Sequence, residues 1–128
     1  MKSLAELKRQ MFPKGIRREL QNLSNRIFRR TTEKKLARAF AQLNIPPGAL
    51  VCVHSMLSGL GYIVGGPETV IKAIQREIPG CTIMMPSFPF SGSAKDYVDS
   101  GAIYDRDNTP SQSGLLTECL RKMPGAVR

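Results

Sequence analysis

The sequence predicts an α/β protein, a sheet flanked by helices, on three observations. A-L-V-C-V-H at 49–54 and C-T-I-M-M-P at 81–86 are apolar runs of strand length. Between them, Val70, Ile71, Ile74 and Ile78 recur at helical spacing behind Gly65-Gly66-Pro67. A strand, a crossover helix and a second strand make two parallel neighbours in a sheet covered on both faces. The 128 residues, 41% of them apolar, suffice for one domain with a buried core.

The N-terminal third reads as helix. Ile16, Leu20, Leu23 and Ile27 share one helical face, and Leu36, Phe40 and Leu43 repeat the pattern after the capping signal Thr31-Thr32. Residues 1–40 hold twelve basic and three acidic side chains, so this segment carries the whole net charge of +9. The other 88 residues are balanced, seven basic against seven acidic. Basic amphipathic helices of this kind present a solvated face, an anionic membrane surface site or a nucleic-acid site. The segment's three aromatics, Phe12, Phe28 and Phe40, do not alternate with the charges as a base-stacking surface requires, which disfavours nucleic acid.

N-I-P-P-G at 44–48 is a turn cluster that ends the helical region. Pro67 suits a first helical position, with Glu68 in the first turn and Pro79-Gly80 as the stop. From Ser87 to Gly114 the chain is loop, broken by a weak helical turn near Ala94 to Val98; loops of that length are commonly functional. L-L-T-E-C-L-R-K-M then places Leu116, Cys119, Leu120 and Met123 on one face of a last helix. Cys52, Cys81 and Cys119 are odd in number and lack C-x-x-C spacing, so they fit buried free thiols and neither a disulfide framework nor a metal site. No apolar run approaches the roughly 20 residues that span a bilayer. Glu6 and Lys8-Arg9 interrupt the start where a secretory signal would be apolar, so a cytoplasmic location is expected.

Ligands of α/β sheets gather at the carboxyl ends of strands, and anions favour helix N-termini. His54 to Gly66 stands at such a place, with serine hydroxyls and with glycines that permit close backbone approach. Thr109 to Gly114 repeats the arrangement before the last helix. Spacing alone equally suits strand-end turns with helix caps.

The residues carry more than the spacing. H-S-M-L-S-G-L-G-Y-I-V-G-G-P-E-T-V-I at 54–71 resembles the H-S-x-L-x-x-L-G-x-x-x-G-G-x-x-T-V-I signature of the aminoglycoside 3-N-acetyltransferase family. M-P-S-F at 85–88 is similar to that family's M-P-T-F, and D-R-D-N-T-P-S-Q-S-G-L-L-T-E at 105–118 to its F-D-P-x-x-T-P-x-x-x-G-x-x-x-E. The resemblance covers roughly Leu36 to Arg128. It implies a mixed sheet flanked by helices, and transfer of acetyl from acetyl-CoA to an amine of an aminoglycoside or other aminosugar, without a metal. It further implies that His54, Ser55, Leu57, Ser58, Gly61, Val64, Gly65 and Gly66 line the coenzyme A cleft. Thr109, Ser111 and Gly114 would then approach its phosphates or pantetheine arm. Met56 departs from the family, standing where a second serine is common, and the alternative for His54 is a strand-end histidine bonded to a neighbouring carbonyl.

Charge and periodicity mark residues 1–43 as a basic amphipathic helical segment, and the resemblance implies that 44–128 are the N-terminal part of an acetyl-CoA-dependent acetyltransferase domain. The family's R-S-x-H-P segment, with its general-base histidine, would follow P-G-A-V-R at 124–128. The chain is therefore expected to be an N-terminal half, with no catalytic base of its own and with apolar sheet surface left open to self-association. The alternatives are a non-catalytic coenzyme A or nucleotide binder, and a basic helical module that docks on an acidic partner.

Overall fold

A computed structural model describes residues 13–128. In chain order the elements are α1 (Lys14–Phe28), β1 (Arg30–Thr31), α2 (Glu33–Ala41), β2 (Leu50–Cys52), a 3-10 turn (Leu57–Leu60), β3 (Tyr62–Ile63), α3 (Pro67–Glu77), β4 (Thr82–Met84), α4 (Ala94–Asp99) and α5 (Leu115–Arg121). The class is α/β, with two separate parallel strand pairs, β1 with β3 and β2 with β4.

α3 is the centre of the core. Its period places Val70, Ile71 and Ile74 on one face, with Ile78 just beyond its last turn, and each is at least 96% buried. Leu36 of α2 and Leu116 of α5 join them, and Phe40, Val51, Ile83, Cys119, Leu120 and Met123 pack around the cluster. Because α2 packs on α3, residues 33–41 share one core with the residues beyond 43. Thr32 caps α2 as its sequence signals, its hydroxyl accepting from the Lys35 N–H at 3.3 Å. Pro67 opens α3 at a position where its missing N–H costs no helical bond.

The crossover unit is present as read: Leu50, Val51 and Cys52 lie in parallel register with Thr82, Ile83 and Met84. Its burial differs from expectation. Alternation sends Val51 and Ile83 to the core, while Leu50 is 66% exposed and Met84 49% exposed on the other face. The sheet is thus covered on one face and not on both. Cys52 shares the open face and is exposed, which corrects its assignment as a buried thiol; Cys81 and Cys119 are partly buried. Leu43 lies past the end of α2 and is also exposed.

The β1–β3 pair was not legible in the sequence, since two residues leave no periodicity to read. Tyr62 N–H donates to the Arg29 carbonyl and Val64 N–H to the Thr31 carbonyl, both at 2.9 Å. The Thr31 hydroxyl donates to the Leu60 carbonyl at 2.5 Å. These bonds tie the end of α1 to the stretch 59–64. α4, where the sequence suggests only a weak turn, is a full short helix capped by the Ser93 hydroxyl. No described helix is long and apolar enough to cross a membrane.

Candidate functional site

Beyond β2 the chain passes His54 and Ser55, winds through the 3-10 turn, forms β3, and enters α3 over Gly65-Gly66. Three of the four glycines of this passage, Gly61, Gly65 and Gly66, differ in what requires glycine there. At Gly61 (φ 77°) a Cβ would stand 2.3 Å from the Arg29 carbonyl oxygen, so close packing of β3 on the end of α1 demands its absence. At Gly65 (φ 85°) a Cβ would meet the Thr69 hydroxyl at 2.5 Å; that hydroxyl donates to the Val64 carbonyl at 2.9 Å and fixes the entry to α3. Gly66 (φ 77°) has no heavy atom within 4 Å of a would-be Cβ, so its left-handed backbone faces open space.

That space belongs to a groove of about 710 Å³. One wall is formed by Leu57, Ser58, Gly61 and Gly66, with Leu115 at the start of α5. The facing wall is α1, through Arg18, Gln21, Asn22 and Asn25, with Arg29 just past its end. Arg29 also donates to the Gly59 carbonyl at 3.4 Å, and the Arg26 guanidinium lies 5.3 Å from the centre of the Tyr62 ring. Arg18 is therefore a groove residue, where the sequence suggested a solvated basic face or a site for an anionic membrane surface or nucleic acid. A signal for it was present: Arg18, Asn22, Asn25 and Arg29 follow helical spacing opposite the Ile16 stripe.

Of the eleven residues singled out from the sequence, the groove brings together Leu57, Ser58, Gly61 and Gly66. Val64 and Gly65 lie in its supporting turn. His54 and Ser55 are exposed at the end of β2, where His54 Nε2 is 3.6 Å from the Cys52 sulfur. Thr109, Ser111 and Gly114 are not among the groove's lining residues; they belong to a second, internally bonded loop.

Asp105 organises that loop by accepting the N–H groups of Asp107 and Asn108 and the Asn108 amide at 2.8–2.9 Å, which lowers the pKa of its carboxyl. The Thr109 hydroxyl accepts from the Asp105 N–H at 2.8 Å. Ser111 is buried; its N–H donates to Glu118 at 2.8 Å and its hydroxyl accepts from the Ser113 N–H at 3.2 Å. Arg121 donates twice to the Glu118 carboxylate, at 2.9 and 2.7 Å, and once to the Asp107 carbonyl at 2.6 Å. The guanidinium beside it holds the Glu118 carboxyl well below the usual carboxylate range, helped by the Ser111 N–H and Lys122. Arg128 donates to the carbonyls of Thr109 and Ser87 and lies over the Tyr104 ring. Glu118, Arg121 and Arg128 thus position the loop, and sequence reasoning missed that role, since ion pairs that bridge distant segments leave no local pattern. A second cavity, of about 470 Å³, lies between β4 and the last residues and contains none of the eleven.

Among the described residues no cluster of His, Cys, Asp or Glu could hold a metal ion. What the groove offers is a hydroxyl, open backbone at Gly66, apolar surface and two guanidinium groups. That combination suits a ligand with an amide-bearing arm and phosphates.

Comparison with known proteins agrees with the motif reading. The chain is 34% identical to the aminoglycoside N(3)-acetyltransferase VII of Streptomyces paromomycinus, over 76% of this chain and 38% of the relative. It is 29% identical to the aminoglycoside N(3)-acetyltransferase IX of Micromonospora chalcea, over 76% of this chain and 40% of that one. The fold is shared with the crystal structure of aminoglycoside acetyltransferase AAC(3)-Xa (TM-score 0.60, 29% identity, 77% of this chain and 40% of that). It is also shared with AAC-IIIb in binary complex with CoASH (TM-score 0.63, 24% identity, 77% and 42%). The chain accordingly spans about two fifths of the length of these relatives. Since the model of the aminoglycoside 3-N-acetyltransferase family matches residues 52–128, which carry all three motifs, the chain belongs to that family.

Proposed function

We propose that this chain supplies the acyl-donor site of an N-acetyltransferase that moves acetyl from acetyl-CoA to an amine of an aminoglycoside or other aminosugar. The observation that carries the proposal is the convergence of Leu57, Ser58, Gly61 and Gly66 of the family signature on one groove. In this reading Ser58 hydrogen-bonds the pantetheine arm, Leu57 packs against it, and Gly66 lets it approach the backbone. Val64 and Gly65 shape the same cleft from its supporting turn, while His54 and Ser55 at the strand end and Thr109, Ser111 and Gly114 in the second loop meet parts of the donor that extend beyond the groove. The thioester is the reactive bond: an amine lone pair attacks its carbonyl, the thiolate of coenzyme A leaves, and a base takes the ammonium proton. His54, exposed beside Cys52, is the one histidine of the 128 residues and does not line the groove. We therefore assign no catalytic residue within this chain, and place its contribution in donor binding and orientation. The cytoplasm, where acetyl-CoA is made, is the compartment this function requires, and the open face of Leu50 and Met84 is where we expect self-association.

Calorimetry with acetyl-CoA tests the donor site, and coenzyme A release with a panel of aminosugars tests the reaction. Saturable binding at one site per chain is expected. A chain that is folded by circular dichroism yet does not bind acetyl-CoA refutes the proposal.

A further inference from the structure

α1 is turned in an unusual way. An amphipathic helix buries its apolar stripe against its own domain, yet Ile16, Leu20, Leu23 and Ile27 are 45–59% exposed. The face turned to the groove is the polar one, with Arg18, Asn22 and Asn25 on the helix and Arg29 just past its end. Apolar burial therefore does not account for this orientation. α1 is held instead by the bond from Tyr62 N–H to the Arg29 carbonyl, by the Arg29 contact with Gly59 and by Arg26 over Tyr62. Among the described residues no carboxylate lines the groove, so the guanidinium groups of Arg18 and Arg29 face it without a compensating charge there. Two like charges on one wall of a concavity repel each other, and an anionic ligand relieves that repulsion.

We infer that Arg18 and Arg29 contact the phosphates of the acyl donor, so that α1 forms part of the donor site although it lies outside the segment 52–128 matched by the family model; the inference rests on the donor-site reading of the groove. The division of labour follows from chemistry. Leu57, Ser58 and Gly66 face the uncharged pantetheine arm, and the two guanidinium forks meet phosphate oxygens with geometry a lysine does not reproduce. Gln21, Asn22 and Asn25 add neutral amides between them and keep carboxylates away from a trianionic to tetraanionic ligand.

Calorimetry on the full 128-residue chain tests this with two probes, acetyl-CoA and S-acetylpantetheine, which lacks the phosphates. Arg18→Gln with Arg29→Gln is expected to weaken acetyl-CoA by about tenfold or more, the value of a partly exposed charge-assisted bond or two, and to leave acetylpantetheine unchanged. Arg18→Lys with Arg29→Lys, which keeps the charge and loses the fork, is expected to fall between the wild type and the double glutamine variant. Lys95→Gln, on α4 and outside the groove, is expected to change neither. Equal acetyl-CoA affinity of the wild type and the double glutamine variant overturns the inference and leaves the donor site standing. So does an equal loss for both probes. A wild type that binds neither probe removes the donor reading itself, and the inference with it. Should the double variant fail to fold, Asn22→Asp decides: weaker acetyl-CoA binding supports the arrangement, and unchanged binding overturns it.

Discussion

Replacing Gly61 with alanine separates a structural glycine from one that faces a ligand. The native backbone there has φ 77° and ψ −145°, a region open almost solely to glycine, and holding an alanine in it costs roughly 1–3 kcal/mol. The added methyl would also stand 2.3 Å from the Arg29 carbonyl oxygen, a backbone atom with no flexible side chain to yield. Moving the two apart loosens the Tyr62 N–H bond to that carbonyl and the Thr31 hydroxyl bond to Leu60, each worth about 1 kcal/mol. The expected loss is therefore roughly 3–5 kcal/mol, a large part of the ~5–15 kcal/mol that holds a domain together. Urea unfolding followed by far-ultraviolet circular dichroism measures it. Gly59→Ala is the control, since no heavy atom lies within 4 Å of its would-be Cβ and its φ is not positive; its effect is expected to stay within about 0.5 kcal/mol. If Gly61→Ala were no more destabilising than Gly59→Ala, the β1–β3 contact would not be what requires glycine at this position.

Other changes probe other parts of the site. Ser58→Ala with Gly66→Val is expected to weaken acetyl-CoA at least tenfold, by removing a hydroxyl and filling the open side of the loop; unchanged affinity in calorimetry would place the donor elsewhere. Glu118 has a depressed folded pKa, so it contributes stability above its unfolded value of about 4.3 and loses that contribution as pH falls through the folded value, well below. Glu118→Gln is accordingly expected to narrow the difference in urea midpoint between pH 7 and pH 3, and an undiminished difference would assign acid sensitivity to other groups. The 128-residue chain alone is expected to release coenzyme A only at background rate with every aminosugar, because general-base assistance worth about 10²–10⁴-fold has no donor-facing histidine to supply it. Ordinary turnover by the purified chain would promote His54 to general base.

What the sequence shows of this molecule follows the range of the interactions involved. α3 was readable to within a residue because Pro67, the Val70–Ile78 spacing and Pro79-Gly80 are local signals acting on neighbouring atoms. β2 and β4 were readable as strands, but the fate of their second face depends on what packs there, and Leu50 and Met84 show the apolar run alone to be an unsafe guide. The signature glycines were recognisable as a set, whereas their separate causes were not. Gly61 answers to Arg29, about thirty residues earlier; Gly65 answers to Thr69; Gly66 answers to its own positive φ at the entry to α3. The same distinction explains Arg18 and Arg29. Their helical spacing with Asn22 and Asn25 marks one polar face but not what it faces, and they acquire meaning only once Tyr62, paired beside Arg30, draws the end of α1 over the loop. A charge becomes a binding element when a tertiary contact gives it a wall to face. In this chain that contact is a strand pair two residues long, bonded to the carbonyl that forbids a side chain at Gly61.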